Sequence, residues 1–225
     1  MVVAETANDI LIGLNSNDLT LLQNASEEVA LSRGQVLAEA GQFAPHVYFP
    51  LAGVLSLVGI TSGGATVEVA VVGSEGVASV SSVFDSSGIP FRVVTQVPGR
   101  ALKVPTDVVR SAIVECGELH QRLLQYSHQL IAQLAQSAVC NRFHNARQRL
   151  ARWLLMTADR AGSNELLLTH EFISYMVGGP RSAVTEAASE LRESGAIDYR
   201  RGLIIIRDNV LLSSQSCECY AAVKQ

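Results

Sequence analysis

Apolar positions along the chain follow one rhythm in its first half and another in its second. From about Val29 to Val104, short apolar runs are cut by Gly, Ser and Pro. The runs are Val36-Leu37, Val47-Tyr48-Phe49, Val54–Ile60, Val67–Val72, Val93–Val97 and Ala101–Val104. Turn signals every roughly 8 to 12 residues predict a β-sandwich or barrel. Gly63-Gly64 predicts a tight hairpin turn between two of the strands. At Pro105-Thr106-Asp107 the pattern changes. Thr106 or Asp107 suits a helix cap, and no Pro follows before Phe143, so one helix of roughly 50 Å is expected there.

That helix carries two apolar stripes. Leu119, Leu123, Tyr126 and Leu130 recur as an a/d seam, continued less well by Gln133 and Ser137. Leu124, Ile131 and Ala138 lie on another face. Either one stripe packs on the chain's own β-domain and the other on a partner, or the helix is simply buried.

The last third reads as three helices and a hairpin. Gln148–Ala158 presents Leu150, Trp153, Leu154 and Ala158 on one side. Thr169 caps a short helix with Phe172, Ile173 and Met176, and Gly178-Gly179 ends it. Pro180 suits the first turn of the next helix, which runs over residues 180–194 to Gly195. Val184, Ala187, Ala188 and Leu191 form its buried stripe. Arg181, Ser182, Thr185, Glu186 and Ser189 face outward. Two small helices around a glycine turn, the second polar outside, match a helix-turn-helix, whose second helix enters the DNA major groove. Arg181 suits guanine O6 and N7, and Ser182 and Thr185 suit bases or phosphates. Ala196–Tyr199 and Leu203–Arg207 make a hairpin with Arg200-Arg201-Gly202 at its tip, a wing against the sugar-phosphate backbone. The competing reading is a three-helix packing unit with a polar face.

Charge sharpens this picture. The 225 residues carry a net −4, which alone argues against a nucleic-acid partner. Yet residues 141–207 hold 10 basic side chains against 7 acidic ones, and all 10 are Arg, the residue that binds phosphate bidentately. A basic end behind an acidic front suits a polyanion. No apolar run approaches the roughly 18 residues of a membrane span, and Met1–Leu14 has acidic residues but no Lys or Arg, unlike a secretory signal. Four widely separated Cys make no disulfide framework. The expectation is a soluble, cytoplasmic protein without a membrane partner.

The run from Leu168 to Thr185 (LTHEFISYMVGGPRSAVT) resembles the helix-turn-helix of the Crp/Fnr superfamily of bacterial regulators. Ser194-Gly195-Ala196-Ile197 followed by Tyr199-Arg200-Arg201-Gly202 is similar to that family's wing. Arg33-Gly34-Gln35, Gly41-Gln42 and Tyr48-Phe49-Pro50 leading to Gly53-Val54 are similar to the first half of its β-roll. The resemblance spans about residues 20–210. It implies an α+β chain in which an N-terminal β-roll sensor (1–105, with an N-terminal helix) precedes a long dimerisation helix (106–143). A winged helix-turn-helix (144–212) and a tail (213–225) follow. It also implies a homodimer on a two-fold-symmetric operator, joined at Leu119, Leu123, Tyr126 and Leu130, with DNA met by Thr169, Arg181, Ser182, Thr185, Glu186, Ser189, Arg200 and Arg201. RNA polymerase is a further partner of such a regulator.

The chain departs from the family at the effector pocket. Cyclic-nucleotide sensors place an Arg about ten residues after a Gly-Glu. Here Gly73, Glu75 and Gly76 stand for the first part, but the next cation is Arg92, followed by Val93-Val94. A cyclic phosphate without its cation is poorly compensated. Leu134-Ala135 stands where those sensors have Thr-Ser. No cofactor is expected and the effector is open; cyclic nucleotide is disfavoured. No Cys precedes Cys116, which excludes the family's N-terminal iron–sulfur cluster. The recognition helix keeps Arg181 but has Ser182 and Glu186 where many members have Glu and a second Arg, so its operator should differ.

The remaining candidates are smaller. Cys116–His120 and Cys140–His144 are i, i+4 pairs, each able to meet its mate across a parallel dimer as a Cys2His2 site. They read instead as unrelated half-buried residues, and Cys217-Glu218-Cys219 as a short tail helix in preference to a redox-active or metal-binding pair. No His-Glu-x-x-His helix, Gly-x-Ser-x-Gly elbow or phosphate loop is present, so an enzyme has no catalytic constellation. A dimeric transcription regulator is expected. The alternatives are a regulator answering to a cyclic nucleotide or other small ligand, and a ligand-binding module whose helix-turn-helix contacts protein.

Overall fold

A computed structural model describes residues 8–224; Glu5 and the rest of the first seven residues lie outside it. Helices α1 (Asp9–Ile12) and α2 (Ser16–Asn24) precede strands β1 (Glu27–Leu31), β2 (Val36–Ala38), β3 (His46–Ile60) and β4 (Thr66–Val72). The one-turn helix α3 (Ser81–Phe84) and strand β5 (Arg92–Pro105) follow. The sheet order is β1-β5-β3-β4, with β2 also on β5. Antiparallel register pairs Val29 with Ala101 and Val36 with Val94.

Four of the short runs expected from the sequence are two long strands. β3 takes in both Val47–Phe49 and Val54–Ile60, and β5 both Val93–Val97 and Ala101–Val104. The glycines that look like strand ends are close-approach positions. A Cβ on Gly99 would lie 2.0 Å from the Ala52 carbonyl oxygen, and one on Gly53, at φ +87°, 2.6 Å from that of Val97. Only glycine lets these backbones come so near. Val47, Phe49, Val54, Leu55, Val93 and Ala101 form the core, and the buried Ser56 hydroxyl donates to Gln96 Oε1 at 3.0 Å. The hairpin at Gly63-Gly64 has a three-residue loop. Thr61 N–H donates to Ala65 O at 2.9 Å, and Gly64 takes the left-handed position at φ +82°.

The single helix expected over 106–143 is two, α4 (Thr106–Glu115) and α5 (Gly117–Phe143). Cys116 is extended between them, at φ −105° and ψ 94°, and its thiol donates to Asp18 Oδ2 at 2.6 Å. Pro105, not Thr106 or Asp107, is the N-cap of α4. Thr106 is buried and its hydroxyl donates to Ala44 O at 2.7 Å, which removes it from capping.

The seam on α5 is an internal one. Leu119, Leu123, Tyr126 and Leu130, expected at a dimer interface, are all buried within the single chain. Tyr126 lies on the Gly73–Gly76 loop, where a Cβ on Gly76 would come within 2.3 Å of its ring. The polar members of the seam are internal too. Gln133 bonds both backbone groups of Val71, accepting from N at 2.6 Å and donating to O at 3.3 Å, and Ser137 Oγ accepts from Arg152 Nη2 at 3.4 Å. The other stripe is the exposed one: Leu124 is 51% and Ile131 64% accessible. Sequence periodicity identified both stripes, and the partner contact that the resemblance implied falls on the one that the chain buries itself.

Two compact units result. The described residues up to Leu57 group with Val72–Ile131, and Val58–Val71 with the residues from Ala132 onward. In the second unit, α6 (Ala146–Ala161) leads to β6 (Glu165–Leu167), α7 (His170–Val177) and α8 (Arg181–Glu193). Strands β7 (Ile197–Arg200) and β8 (Leu203–Ile206) and helices α9 (Asn209–Gln215) and α10 (Cys219–Val223) complete it. β6 was not foreseen in the sequence; it pairs with β8, and the sheet order is β6-β8-β7. Asn145 and Gln148 close a capping box at the start of α6, and Gly162 ends it in the left-handed region. Leu150, Leu154, Ile173, Val184, Leu191 and Ile204 fill the core of this unit.

Candidate nucleic-acid interface

The interface begins with three local devices. Thr169 caps α7, its Oγ1 accepting from Phe172 N at 3.1 Å. Gly178 and Gly179, at φ +70° and +136°, then reverse the chain in a conformation that side-chain-bearing residues rarely adopt. Arg149 braces this turn, donating to Gly178 O at 3.1 Å and to Asn141 O at 3.3 Å. Pro180 sits at the N-cap of α8, one place earlier than expected, in an extended conformation at ψ 145°.

From there α8 separates its two faces. Val184, Ala187, Ala188 and Leu191 are buried, whereas Arg181, Ser182, Thr185 and Glu186 are exposed and Ser189 is half-buried. Arg181 thus stands at the first helical position, where backbone N–H groups lack intrahelical partners and the helix end is electropositive. Thr185 is committed within the fold: its hydroxyl donates to Arg181 O at 2.9 Å. Its oxygen also lies 3.2 Å from His170 Nδ1. His170 stacks on Tyr199 with ring centroids 4.2 Å apart, which links α7 to the wing. Burial, helped by the Arg181 charge, holds the His170 ring below its ordinary pKa and favours the neutral form.

The wing turns at Arg201-Gly202, both at positive φ (+49° and +82°), as a two-residue hairpin of this kind requires. Arg200 and Leu203 close it as paired residues. Arg200 and Arg201 are exposed. Arg200 Nε lies 3.1 Å from Asp198 Oδ2, an oxygen shared with Arg207 Nη2 at 3.1 Å. The Arg207 hydrogen bond and the two cations keep the Asp198 carboxyl below the usual range. Of the sequence-selected DNA residues, Thr169 at the cap of α7, Arg181, Ser182, Thr185 and Glu186 on α8, and Arg200 and Arg201 on the wing are therefore exposed. The sequence missed the internal brackets, Arg149 and His170.

The selected effector residues do not converge in this way. Glu75 Oε1 accepts from Gly73 N at 3.0 Å within its own loop. Gly76 is filled by Tyr126, and its carbonyl accepts from Asn8 Nδ2 at 2.8 Å. Arg92 is paired with Glu39 at 2.8 Å, so the cation considered for a phosphate already has a carboxylate.

The two Cys–His pairs differ: the first consists of unrelated residues, as expected, and the second does not. Cys116 turns to Asp18, and His120 lies by Phe84 with ring centroids 6.3 Å apart. Cys140 and His144 instead meet Cys217 and Cys219 of the same chain. They are neither unrelated residues nor half of a site across a dimer.

Comparison with known proteins agrees with this geometry. Residues 148–213 match the Crp-like helix-turn-helix domain, and residues 28–116 the cyclic nucleotide-binding domain. The global nitrogen regulator of Synechococcus elongatus is 26% identical over 192 residues, 81% of this chain and 86% of that protein. The CRP-like cAMP-activated global transcriptional regulator of Mycobacterium tuberculosis is 22% identical over 214 residues, 92% and 96% of the two chains. The structure of FixK2 from Bradyrhizobium japonicum superposes with a TM-score of 0.72 at 15% identity, over 85% of this chain and 98% of that one. A CRP/FNR-family transcriptional regulator of Thermus thermophilus gives 0.70 at 22% identity, over 84% and 98%.

Proposed function

Because the chain belongs to the Crp/Fnr superfamily of DNA-binding transcription regulators, we propose that it reads a two-fold-symmetric operator as a homodimer and needs no cyclic nucleotide to do so. The observation that carries this reading is the exposed face of α8, with Arg181 at its first position, together with the exposed Arg200-Arg201 of the wing. In this reading, α8 lies in the major groove. Arg181 takes a guanine edge, Ser182 and Glu186 select neighbouring bases, and the wing arginines hold the backbone. Glu186 accepts from a cytosine amino group.

The partner-facing surface is the stripe of Leu124, Ile131 and Ala138, whose large residues are otherwise open to water. A buried phosphate needs a cation, and Arg92 is held by Glu39, which supports a regulator that does not answer to a cyclic nucleotide. RNA polymerase is its further partner and the cytoplasm its site of action. No helix of the described residues is long and apolar enough to cross a membrane.

Selection from a random double-stranded DNA pool, with purified protein and no added ligand, tests the whole. Enrichment of a palindrome with half-sites one turn apart is expected. Enrichment only after cyclic AMP or cyclic GMP is added would overturn the ligand-independent reading, and none under any condition would overturn the operator reading.

A further inference from the structure

The C-terminal end of α5 gathers four side chains with metal-binding atoms. Cys140 and His144 stand one helical turn apart, Cys217 comes from the link between α9 and α10, and Cys219 is the first residue of α10. Cys140 Sγ is 3.5 Å from Cys217 Sγ, and Cys219 Sγ is 3.5 Å from His144 Nδ1. One donor atom from each residue lies within 4.8 Å of all the others. The three cysteines are buried and unbridged, and His144 is half-buried.

Those spacings suit a single small ion. Zinc bonds of about 2.3 Å to sulfur and about 2.0 Å to nitrogen put the donors of a tetrahedron about 3.5 to 3.8 Å apart. A disulfide would need sulfurs at about 2.0 Å. A polynuclear iron–sulfur cluster would spread its ligands over separate irons.

The surroundings are also those of a metal site. Glu218 Oε1 lies 3.2 Å from His144 Nε2. A carboxylate there holds the proton on Nε2 and leaves the Nδ1 lone pair facing the cysteines. Gln136 Nε2 donates to Cys219 Sγ at 3.0 Å. Arg152 is buried, its Nε and Nη1 lack hydrogen-bond partners, and its charge acts on Cys140. Zinc with three thiolates and one neutral imidazole carries one net negative charge, which that guanidinium balances.

We propose that Cys140, His144, Cys217 and Cys219 bind one structural zinc ion that clamps the C-terminal tail to the end of α5. Four protein ligands close the coordination sphere, so the ion has no open position for catalysis. Binding releases the thiol protons, and the ion adds its binding free energy to folding.

The test uses the full chain, grown with zinc and purified reduced without chelator. Elemental analysis should find one zinc per chain, retained in Cys116→Ser and lost from Cys140→Ser, Cys219→Ser and His144→Ala. Chelator-stripped wild-type protein titrated with Co2+ should develop thiolate-to-cobalt charge-transfer bands and the visible bands of a tetrahedral ion, a readout that needs no variant to fold. Metal-free protein that also gives no cobalt spectrum would overturn the proposal. So would zinc retained by the ligand variants, or a Cys140–Cys217 disulfide found by mass spectrometry in the reduced preparation.

Discussion

The indole Nε1–H of Trp153 donates to Glu68 Oε1 at 2.8 Å, and both side chains are buried. This bond fastens β4 to α6 inside the second unit. A hydrogen bond to a carboxylate contributes about 1.5 to 3 kcal/mol net. Trp153→Phe keeps an aromatic ring but removes the donor, and it should lower stability by about 2 kcal/mol. Urea unfolding measures this; an unchanged midpoint would show that the bond contributes nothing.

The two stripes of α5 predict opposite phenotypes. Leu123 is fully buried, so Leu123→Ala should destabilise each protomer by about 2 to 5 kcal/mol. Ile131 is exposed, so Ile131→Glu should leave the protomer folded and shift sedimentation from dimer to monomer. A dimer that survives Ile131→Glu would place the interface elsewhere.

Salt dependence separates the two kinds of arginine. Arg200→Ala with Arg201→Ala should weaken binding to all sequences alike and reduce the slope of log K against log salt by about 2. Arg181→Ala should instead cost about 1 to 3 kcal/mol and relax selection at one base position. Fluorescence anisotropy across a salt series would show both, and an unchanged slope in the double variant would remove the wing from the backbone.

The His170 ring makes part of the stability pH-dependent. Its folded pKa lies below the ordinary 6.5, first through burial and then through the Arg181 charge. The unfolded chain therefore takes up its proton first as pH falls. The contribution is complete above about pH 6.5 and is lost as pH drops through the lower folded value. His170→Gln should flatten unfolding midpoints across that window. A midpoint curve parallel to wild type would exclude this ring as the titrating group.

Much of the second unit was readable from sequence because its signals are local. Thr169 as a cap, Gly178-Gly179 as a break and Arg200-Arg201-Gly202 as a tip, of which Arg200 proves to be the last residue of β7, each act within a few residues. The strands of the first unit were less so. Gly53 and Gly99 look like ends, and only the opposing backbone shows that they are close approaches inside longer strands. At the break, the Cys116 thiol is bonded to Asp18, which lies 98 residues away in the chain.

By itself, the sequence determined which residues are apolar on each face, where the turns of the second unit fall and which end of the chain carries the arginines. Those properties belong to single segments and to their immediate neighbours. Tertiary structure decided the assignments that depend on distant partners. It turned the Leu119–Leu130 seam inward and left Leu124 and Ile131 exposed, since either stripe is apolar enough to be buried and only packing selects one. It also brought Cys140 to Cys217 across 77 positions, which no spacing rule encodes, because chain closure over that distance is set by the helices that pack between them.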